Sequence, residues 1–310
     1  MKKIIALLIT LSLLLFTLAS CAKDDTKINI GVLSGPTGMG MAKLMNDEGT
    51  ESEKYGFEIY SDPSIGTTDL ISGKLDMLCM PTNAAANLFN KSKNVSVIAI
   101  NCLGSLYLVS DNDTPITSVK DLEGKTIHSS VATSTTKPII EFILKENGVN
   151  ATIEIEKDHD TLVEKLATKD VSIAVLPEPK VTAALMSNKD YSVKLNLSDE
   201  WDKISDTPLT MGCIVVRNEF LEAHKSVVDN FLKDYKSSIE YVGNANNKDS
   251  AAEMIVAAGV LPKVPVAKGA LTNLYGSIVY VDGGDMKTAL KDFYTAIGYT
   301  QPEDSFYYEK

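Results

Sequence analysis

The segment INIGVLSGPTGMGMAKLM, residues 28–45, sets the architecture of this chain. Its first six residues are mostly apolar and β-prone and predict a strand from Ile28 to Leu33. A glycine-rich turn follows, and then a helix that is predicted to run to Asp47. A strand that passes through a tight turn directly into a helix is the opening unit of an α/β sheet with parallel strands. The segment therefore predicts an α/β protein.

The same alternation of strand and helix continues along the chain, in two successive series that are followed by a helical tail. The further predicted strands are Phe57 to Tyr60, Met77 to Met80, Val95 to Cys102, Leu106 to Val109, Thr126 to Ser129, Thr152 to Glu156, Ile173 to Leu176, Val193 to Leu197 and Met211 to Arg217. The predicted helices are Thr67 to Ser72, Asn83 to Asn90, Thr136 to Asn147, Thr161 to Thr168, Lys180 to Ser187, 227–242, Ala251 to Ala258 and Met286 to Ile297, with an amphipathic turn at Ser118 to Leu122.

The N-terminus has the pattern of a secretion signal. Lys2 and Lys3 precede an apolar run at residues 4–18, and the small residues 19–20 precede Cys21. The run is too short to remain as a membrane-spanning helix, and no stop-transfer sequence follows it. We therefore predict that residues 1–20 are a signal peptide that is removed.

The residues around Cys21 resemble a bacterial lipobox. The resemblance implies that a diacylglyceryl group joins the Cys21 thiol and that acylation (palmitate) anchors the mature N-terminus, because two or more chains hold a protein stably at a membrane. Residues 21–27 then form a short polar tether. The predicted location is the extracytoplasmic face of the bacterial cell membrane. The alternative is an ordinary secretory signal followed by a chance cysteine.

The length left after removal of the signal predicts two lobes. The mature chain has 290 of the 310 residues, which is more than one compact core usually takes. The predicted division is lobe 1 at 28–103, lobe 2 at 104–212, and a return to lobe 1 with C-terminal helices at 213–310. The tail is expected to pack mainly on the first lobe, and each lobe is expected to hold a mostly parallel sheet.

The charge of the chain excludes several classes of partner. The net charge is −11, and loss of Lys2 and Lys3 makes it −13, so nucleic acid and anionic lipid are not expected to bind. Arg217 is the single arginine, so a bidentate clamp on an anion would have to rely on that one side chain.

The cysteines and histidines indicate neither a metal site nor a cofactor. Cys79, Cys102 and Cys213 each lie in an apolar, strand-like run and are predicted to be buried small hydrophobic residues, although a disulfide between one pair stays open. The three histidines lack ligand spacing. We expect no cofactor and no metal.

The candidate ligand residues of the first lobe follow its strands. In the turn at Gly35, Pro36, Thr37, Gly38 and Met39, backbone amides are expected to point outward and attract an anion or a carbonyl group. The glycine spacing does not match a dinucleotide or P-loop motif, and a turn needed only for chain geometry is the alternative.

A second candidate in this lobe is the turn at Thr82 and Asn83, whose alternative role is helix capping. Because ligands of open α/β sheets collect at the carboxyl ends of the strands, both turns are expected at one site.

The second lobe offers a hydroxyl-rich helix start and a carboxylate. Residues 132–136 include Thr133, Ser134, Thr135 and Thr136 and suggest a polar cradle, with solvated capping hydroxyls as the alternative.

Glu178 follows a predicted strand and is expected to meet a hydrogen-bond donor of a ligand, or else to be a first-turn helix acid. Met211 is expected to line the cleft or to be a core residue, and Trp201, in a surface-like stretch, to pack in a core or at a lobe edge. No nucleophile and base pair emerges from these loops, so we predict no enzyme activity.

Several segments together resemble a known family, over nearly the whole mature chain. They are GPTGMGMAKLM at Gly35, LISGKLDM at Leu70, PTNAAANL at Pro81, SVKDLEGKTI at Ser118, VLPEPKV at Val175 and LTMGCIVVRNEF at Leu209. The family that they resemble is the extracytoplasmic solute-binding proteins of ABC importers, with the type II periplasmic-binding fold, in the branch of sulfonate, nitrate and thiamine-precursor receptors. The resemblance implies two α/β lobes around a ligand cleft, joined by hinge crossings near Leu103 and Gly212.

By this resemblance the protein is expected to be a monomer that captures a small organic solute and delivers it to an ABC permease and its ATPase. Closure of the lobes would be driven by ligand binding. One alternative is a lipoprotein that presents its ligand to a membrane sensor. Another is an enzyme on the same fold, such as the pyrimidine synthases, whose cysteine-rich iron site and reactive histidine are not found here.

Overall fold

The computed structural model describes residues 24–130 and 135–309. The predicted signal peptide, Cys21 and the residues at 131–134 lie outside the described residues. Within the described ranges no helix is long and apolar enough to cross a bilayer.

The described residues form eleven strands. They are β1 (Ile28–Leu33), β2 (Tyr55–Tyr60), β3 (Met77–Pro81), β4 (Val95–Leu103), β5 (Leu106–Asp111), β6 (Thr126–Ser130), β7 (Thr152–Glu156), β8 (Ile173–Pro177), β9 (Tyr191–Asn196), β10 (Thr210–Arg217) and β11 (Ile278–Val281).

The α-helices among the described residues alternate with the strands and then dominate the tail. They are α1 (Pro36–Met39), α2 (Ala42–Glu48), α3 (Pro63–Ile71), α4 (Thr82–Ser92), α5 (Thr136–Glu146), α6 (His159–Thr168), α7 (Lys180–Ser187), α8 (Leu197–Asp202), α9 (Asn218–Ala223), α10 (Lys225–Val242), α11 (Lys248–Ala257), α12 (Val264–Asn273) and α13 (Gly283–Ala296). Short 3₁₀ turns occur at Val119–Leu122, Ala245–Asn247 and Asp304–Phe306.

The strands form two sheets with the same internal plan. The first sheet has the order β11-β4-β10-β3-β1-β2 and the second β7-β6-β8-β5-β9. Strands β1 to β4 run in one direction, with β10 inserted antiparallel between β3 and β4. In the second sheet β5 is inserted in the same way between β8 and β9. The prediction of two α/β lobes is confirmed, and we call each sheet with its helices a lobe. The expectation of mostly parallel sheets is wrong, because the inserted strands β10 and β5 pair antiparallel with both of their neighbours and make each sheet mixed.

The differences between the predicted and the observed elements have local causes. Helix α3 begins at Pro63, earlier than predicted, because Asp62 caps the Ser64 amide and proline suits the first turn. The strand predicted to reach Leu197 ends at Asn196, whose side chain caps the Ser198 amide and starts α8. Helices α8, α9 and α12 and the four-residue strand β11 were not predicted.

The tail packs mainly on the first lobe, and it also contacts the second. Helices α10 and α11 lie against α2, and α13 lies against β4 and β10. Helix α12 packs on α11 and also contacts α7 of the second lobe. The return segment therefore touches both sides of the interlobe boundary.

Trp201 lies in the core, so its surface-like sequence context was misleading. The side chain is fully buried, and its ring lies 4.8 Å from the Phe142 ring of α5 and 5.7 Å from the Phe293 ring of α13. The indole Nε1 donates to the Thr207 carbonyl at 2.6 Å, which satisfies its only polar atom. Core packing is thus the correct explanation.

Cys79, Cys102 and Cys213 are free and completely buried, as predicted for small hydrophobic residues. Burial raises the pKa of the Cys79 and Cys102 thiols to about 12, which keeps them as unreactive thiols at neutral pH.

Candidate functional site

The turns that follow the central strands of the two sheets face one another. Thr135 Oγ1 of the second lobe lies 3.9 Å from Met211 Sδ of the first. A β-carbon built on Gly35 would lie 3.9 Å from Pro179 Cδ, which belongs to the second lobe. Both sets of turns follow the carboxyl ends of strands, and we call the region between them the crevice. Ligands of α/β proteins commonly bind at such a position.

The glycine-rich turn is a single helical turn, α1, that begins after Gly35. Gly35 has a φ of 106°, which favours glycine, and Pro36 occupies the first helical position. The amides of Gly38 and Met39 both donate to the Gly35 carbonyl, at 3.0 and 3.1 Å. The expectation that these two amides point outward is therefore wrong, because the turn uses them to close itself. The Met39 side chain is fully buried in the first lobe.

Asn101, a residue of β4, holds the turn against the first sheet by hydrogen bonds. Asn101 Nδ2 donates to the Thr37 carbonyl and to the Tyr235 hydroxyl, both at 3.0 Å. The Thr37 carbonyl can only accept, so it fixes the orientation of the Asn101 amide. Asn101 is 1% exposed, and this buried network links the turn to helix α10 through Tyr235.

Gly212 of β10 lets the turn lie this close to the sheet. A β-carbon at Gly212 would lie 2.4 Å from Thr37 Cγ2 and 2.6 Å from Asn101 Oδ1. Both distances are shorter than carbon contacts in proteins allow, so only glycine fits here without displacement of the turn.

Thr82 and Asn83 lie at the start of α4 and are both buried. Thr82 is not a side-chain cap: its hydroxyl donates to the Thr210 carbonyl at 3.0 Å, and its own carbonyl accepts from the Tyr294 hydroxyl at 2.8 Å. The hydroxyl proton of Thr82 is thus engaged within the first lobe.

The helix start in the second lobe is only partly described. Thr133 and Ser134 lie outside the described residues. Thr135 and Thr136 are buried at 2% and 3% exposure, and Thr135 flanks the first turn of α5 without capping it by its side chain. The contact of Thr135 with Met211, which is partly buried, brings this helix start to the first lobe.

Glu178 is buried at 1% exposure directly after β8. Its Oε1 accepts from Thr182 Oγ1 at 3.1 Å and from Asn273 Nδ2, and its Oε2 accepts from the Thr182 amide at 3.3 Å. Burial raises the pKa of Glu178, and the hydrogen bonds from Asn273 and Thr182 partly oppose that shift.

Two buried polar atoms beside the turn have no hydrogen-bond partner among the described residues: Asn101 Oδ1 and Thr210 Oγ1. Buried polar atoms are normally paired, by protein, water or ligand. Both atoms are shielded from solvent in this structure, since Asn101 is 1% exposed and Thr210 is 0% exposed.

Basic side chains near the crevice are already paired. Arg217 lies at the other end of β10, where it bonds the Asp76 carboxylate at 3.1 Å and the Glu219 carboxylate at 3.1 Å. Lys137 and Lys180, at the starts of α5 and α7, pair with carboxylates of Glu141 and Asp160. The described crevice thus presents hydroxyl and amide groups with one carboxylate. No group of residues in the described chain is arranged to hold a metal ion.

The sequence analysis missed Asn101, Tyr107, Thr182 and Asn273. Asn101 could have been recognised as a candidate from the sequence, because it is the polar residue in the apolar run VIAIN of β4. Asn273 could not have been recognised in this way, because only the packing of α12, which is distant in sequence, brings it to the site.

Comparison with known families identifies the family of this chain. The family model described as "NMT1/THI5 like" matches residues 57–248, which is more than half of the chain. The chain therefore belongs to the NMT1/THI5-like family. No curated protein matches it in sequence.

Solved structures share the fold at low sequence identity. An ABC transporter structure from Parabacteroides distasonis superposes with a TM-score of 0.75 at 17% identity, over 92% of this chain and 100% of that one. The periplasmic aliphatic sulphonate-binding protein SsuA from Escherichia coli gives 0.70 at 14% identity, over 92% of each chain. The nitrate-binding protein NrtA from Synechocystis gives 0.58 at 10% identity, over 76% of this chain and 66% of that one.

These neighbours are described as an ABC transporter, a sulphonate-binding protein and a nitrate-binding protein, and they share the fold of this chain. The fold is the type II periplasmic-binding fold. The predictions of the fold and of the family are confirmed.

Replacement of Gly212 by alanine tests the packing of the turn. We expect G212A to displace Thr37 and to raise the rate of amide hydrogen exchange in α1, because the added carbon overlaps Thr37 and Asn101. Exchange followed by mass spectrometry measures this. Gly284→Ala is the matched control, since a β-carbon there has its nearest neighbour at 3.9 Å. Equal protection of α1 in both variants would contradict the packing argument.

The raised pKa of Glu178 predicts a pH-dependent contribution to stability. The folded protein holds the Glu178 proton more tightly than the unfolded chain, whose carboxyl titrates near 4.5. The wild-type free energy of unfolding therefore falls relative to that of Glu178→Gln as the pH rises from that value through the raised pKa. Denaturant unfolding of both proteins over a pH series measures the difference. If the difference in unfolding free energy does not vary with pH, burial does not shift the pKa of Glu178.

Proposed function

We propose that this protein is a lipid-anchored substrate-binding protein of an ABC importer, which binds a small organic solute between its lobes and delivers it to a permease. The observation that carries the proposal is the crevice itself, where turns of both lobes meet at the contact of Thr135 with Met211. The family match and the shared fold of importer components support it.

The solute is proposed to lie between the turn at Gly35–Met39 and the helix start at Thr133–Thr136, with Thr82, Asn83 and Met211 beside it. Neighbours named for sulfonate and nitrate leave these anions as candidates.

The charges of the crevice favour a neutral, planar solute of the thiamine-precursor type, such as an aminopyrimidine. Glu178 is the only ionisable side chain among the predicted ligand residues, so none of them supplies a positive charge to an anion. The single arginine is bound to Asp76 and Glu219 at the other end of β10. An anionic solute would therefore depend on backbone amides and hydroxyl groups alone.

A binding panel tests this proposal. The chain without residues 1–21 is screened by thermal shift against aminopyrimidines, thiamine-like compounds, alkanesulfonates, nitrate and amino acids, and Trp201 fluorescence confirms each hit. Ligand that binds only the folded state raises the melting temperature. We expect a saturable shift with an aminopyrimidine. Double replacement of Thr135 and Thr136 by alanine should weaken binding by roughly tenfold if each hydroxyl contributes about 0.5–1.5 kcal/mol. Unchanged affinity in that variant would remove the helix start from the site.

The proposed anchor has its own test. In bacteria grown with labelled palmitate, the wild-type chain should carry the label and sediment with membranes, whereas Cys21→Ala should carry none and lose the anchor, because the thiol is the attachment point. Cys79→Ala is the control, since that thiol is buried. Membrane association of the Cys21→Ala protein equal to that of wild type would refute lipid anchoring.

A further inference from the structure

The Glu178 carboxylate is engaged across the interlobe boundary. Glu178 follows β8 of the second lobe, and Asn273 is the last residue of α12 on the return segment that packs on the first lobe. Asn273 Nδ2 donates to Glu178 Oε1. A hydrogen bond to a carboxylate in a buried setting is among the stronger ones in proteins.

The backbone of Asn273 makes a second bond between the lobes. The hydroxyl of Tyr107, in β5 of the second lobe, donates to the Asn273 carbonyl at 2.5 Å. Tyr107 is 5% exposed, so this bond is shielded from water. Asn273 of the return segment is thus bonded to the second lobe through both its side chain and its backbone carbonyl.

Close packing surrounds these two bonds. A β-carbon at Gly269 of α12 would lie 2.6 Å from Thr182 Cγ2, so α12 and α7 approach as closely as a glycine permits. Thr182 is also the residue whose hydroxyl and amide donate to Glu178. The Glu178 amide in turn donates to the carbonyl of Ser105, at the chain crossing between β4 and β5, at 2.9 Å.

We infer that Asn273 is a positioning residue for the crevice: through Glu178 and Tyr107 it holds the second lobe against the return segment and so sets the distance between the ligand turns. Glu178 then acts on the lobe arrangement, and its contact with a solute donor is not required. The inference rests on the proposed binding crevice, but its main readout needs no solute.

The experiment measures the distance between the lobes in the mature lipoprotein in detergent. Spin labels are placed at I65C in α3 and M186C in α7, whose native side chains are 55% and 49% exposed, while the native cysteines Cys79, Cys102 and Cys213 are buried. Pulsed electron paramagnetic resonance then gives the distance distribution. Asn273→Ala and Tyr107→Phe should each raise the population of the longer distances by about tenfold, because each removes one interlobe bond.

Three further variants separate positioning from simple loss of structure. Asn87→Ala removes an asparagine side-chain bond that does not join the lobes, from Asn87 Nδ2 to the Tyr299 hydroxyl at 2.8 Å on the exposed side of the first lobe, and should leave the distances unchanged. Glu178→Gln keeps an oxygen acceptor for Asn273 and should retain the wild-type distances, whereas Glu178→Ala should not.

The outcomes decide the inference. Unchanged distances in both Asn273→Ala and Tyr107→Phe, with circular dichroism that shows a folded chain, would overturn it, even if the melting temperature falls. A shift in Asn87→Ala equal to that in Asn273→Ala would also overturn it. Failure of every solute in the thermal-shift panel, with the distance shifts present, would refute the proposed ligand and leave the role of Asn273 intact.

Discussion

The insertion of β10 into the first sheet is the constraint on which the rest of the structure depends. The strand lies antiparallel between β3 and β4, so the chain must leave the first lobe, build the second and return before the first sheet is complete. Its first residues, Thr210, Met211 and Gly212, consequently stand at the interlobe boundary. The hydrogen bonds of β10 complete the first sheet, and the same bonds fix the position of the crevice residues at the start of the strand.

The crevice is built from polar groups whose burial must be compensated. Thr82 bonds to Thr210, Asn101 to Thr37, and Glu178 to Thr182 and Asn273. A buried polar group that loses its partner costs about 1–3 kcal/mol, so each pair resists displacement of its turn. The network explains how the turns and helix starts at the ends of the two sheets keep a fixed position.

Much of the fold could be predicted from the sequence because its signals are local. Alternation of apolar runs with helical periodicity located β1 to β10 and most helices. Helix α12 escaped prediction although its Pro265 lies at a position that suits a first helical turn, and β11 is only four residues long. The sequence around Trp201 was misleading because Asp199 and Asp202 on α8 are exposed, whereas the indole packs in the core.

The amino-acid sequence alone established the α/β class, the two-lobe plan, the family resemblance and the turns at the carboxyl ends of the strands. These features depend on residues that are near one another in the chain. Only the tertiary structure decided which groups of the turns are engaged: Gly38 and Met39 amides within their own turn, Thr82 with Thr210, and Glu178 with Asn273. Those partners are brought together by packing of distant segments, and hydrogen bonding between distant residues leaves no periodic mark in a sequence.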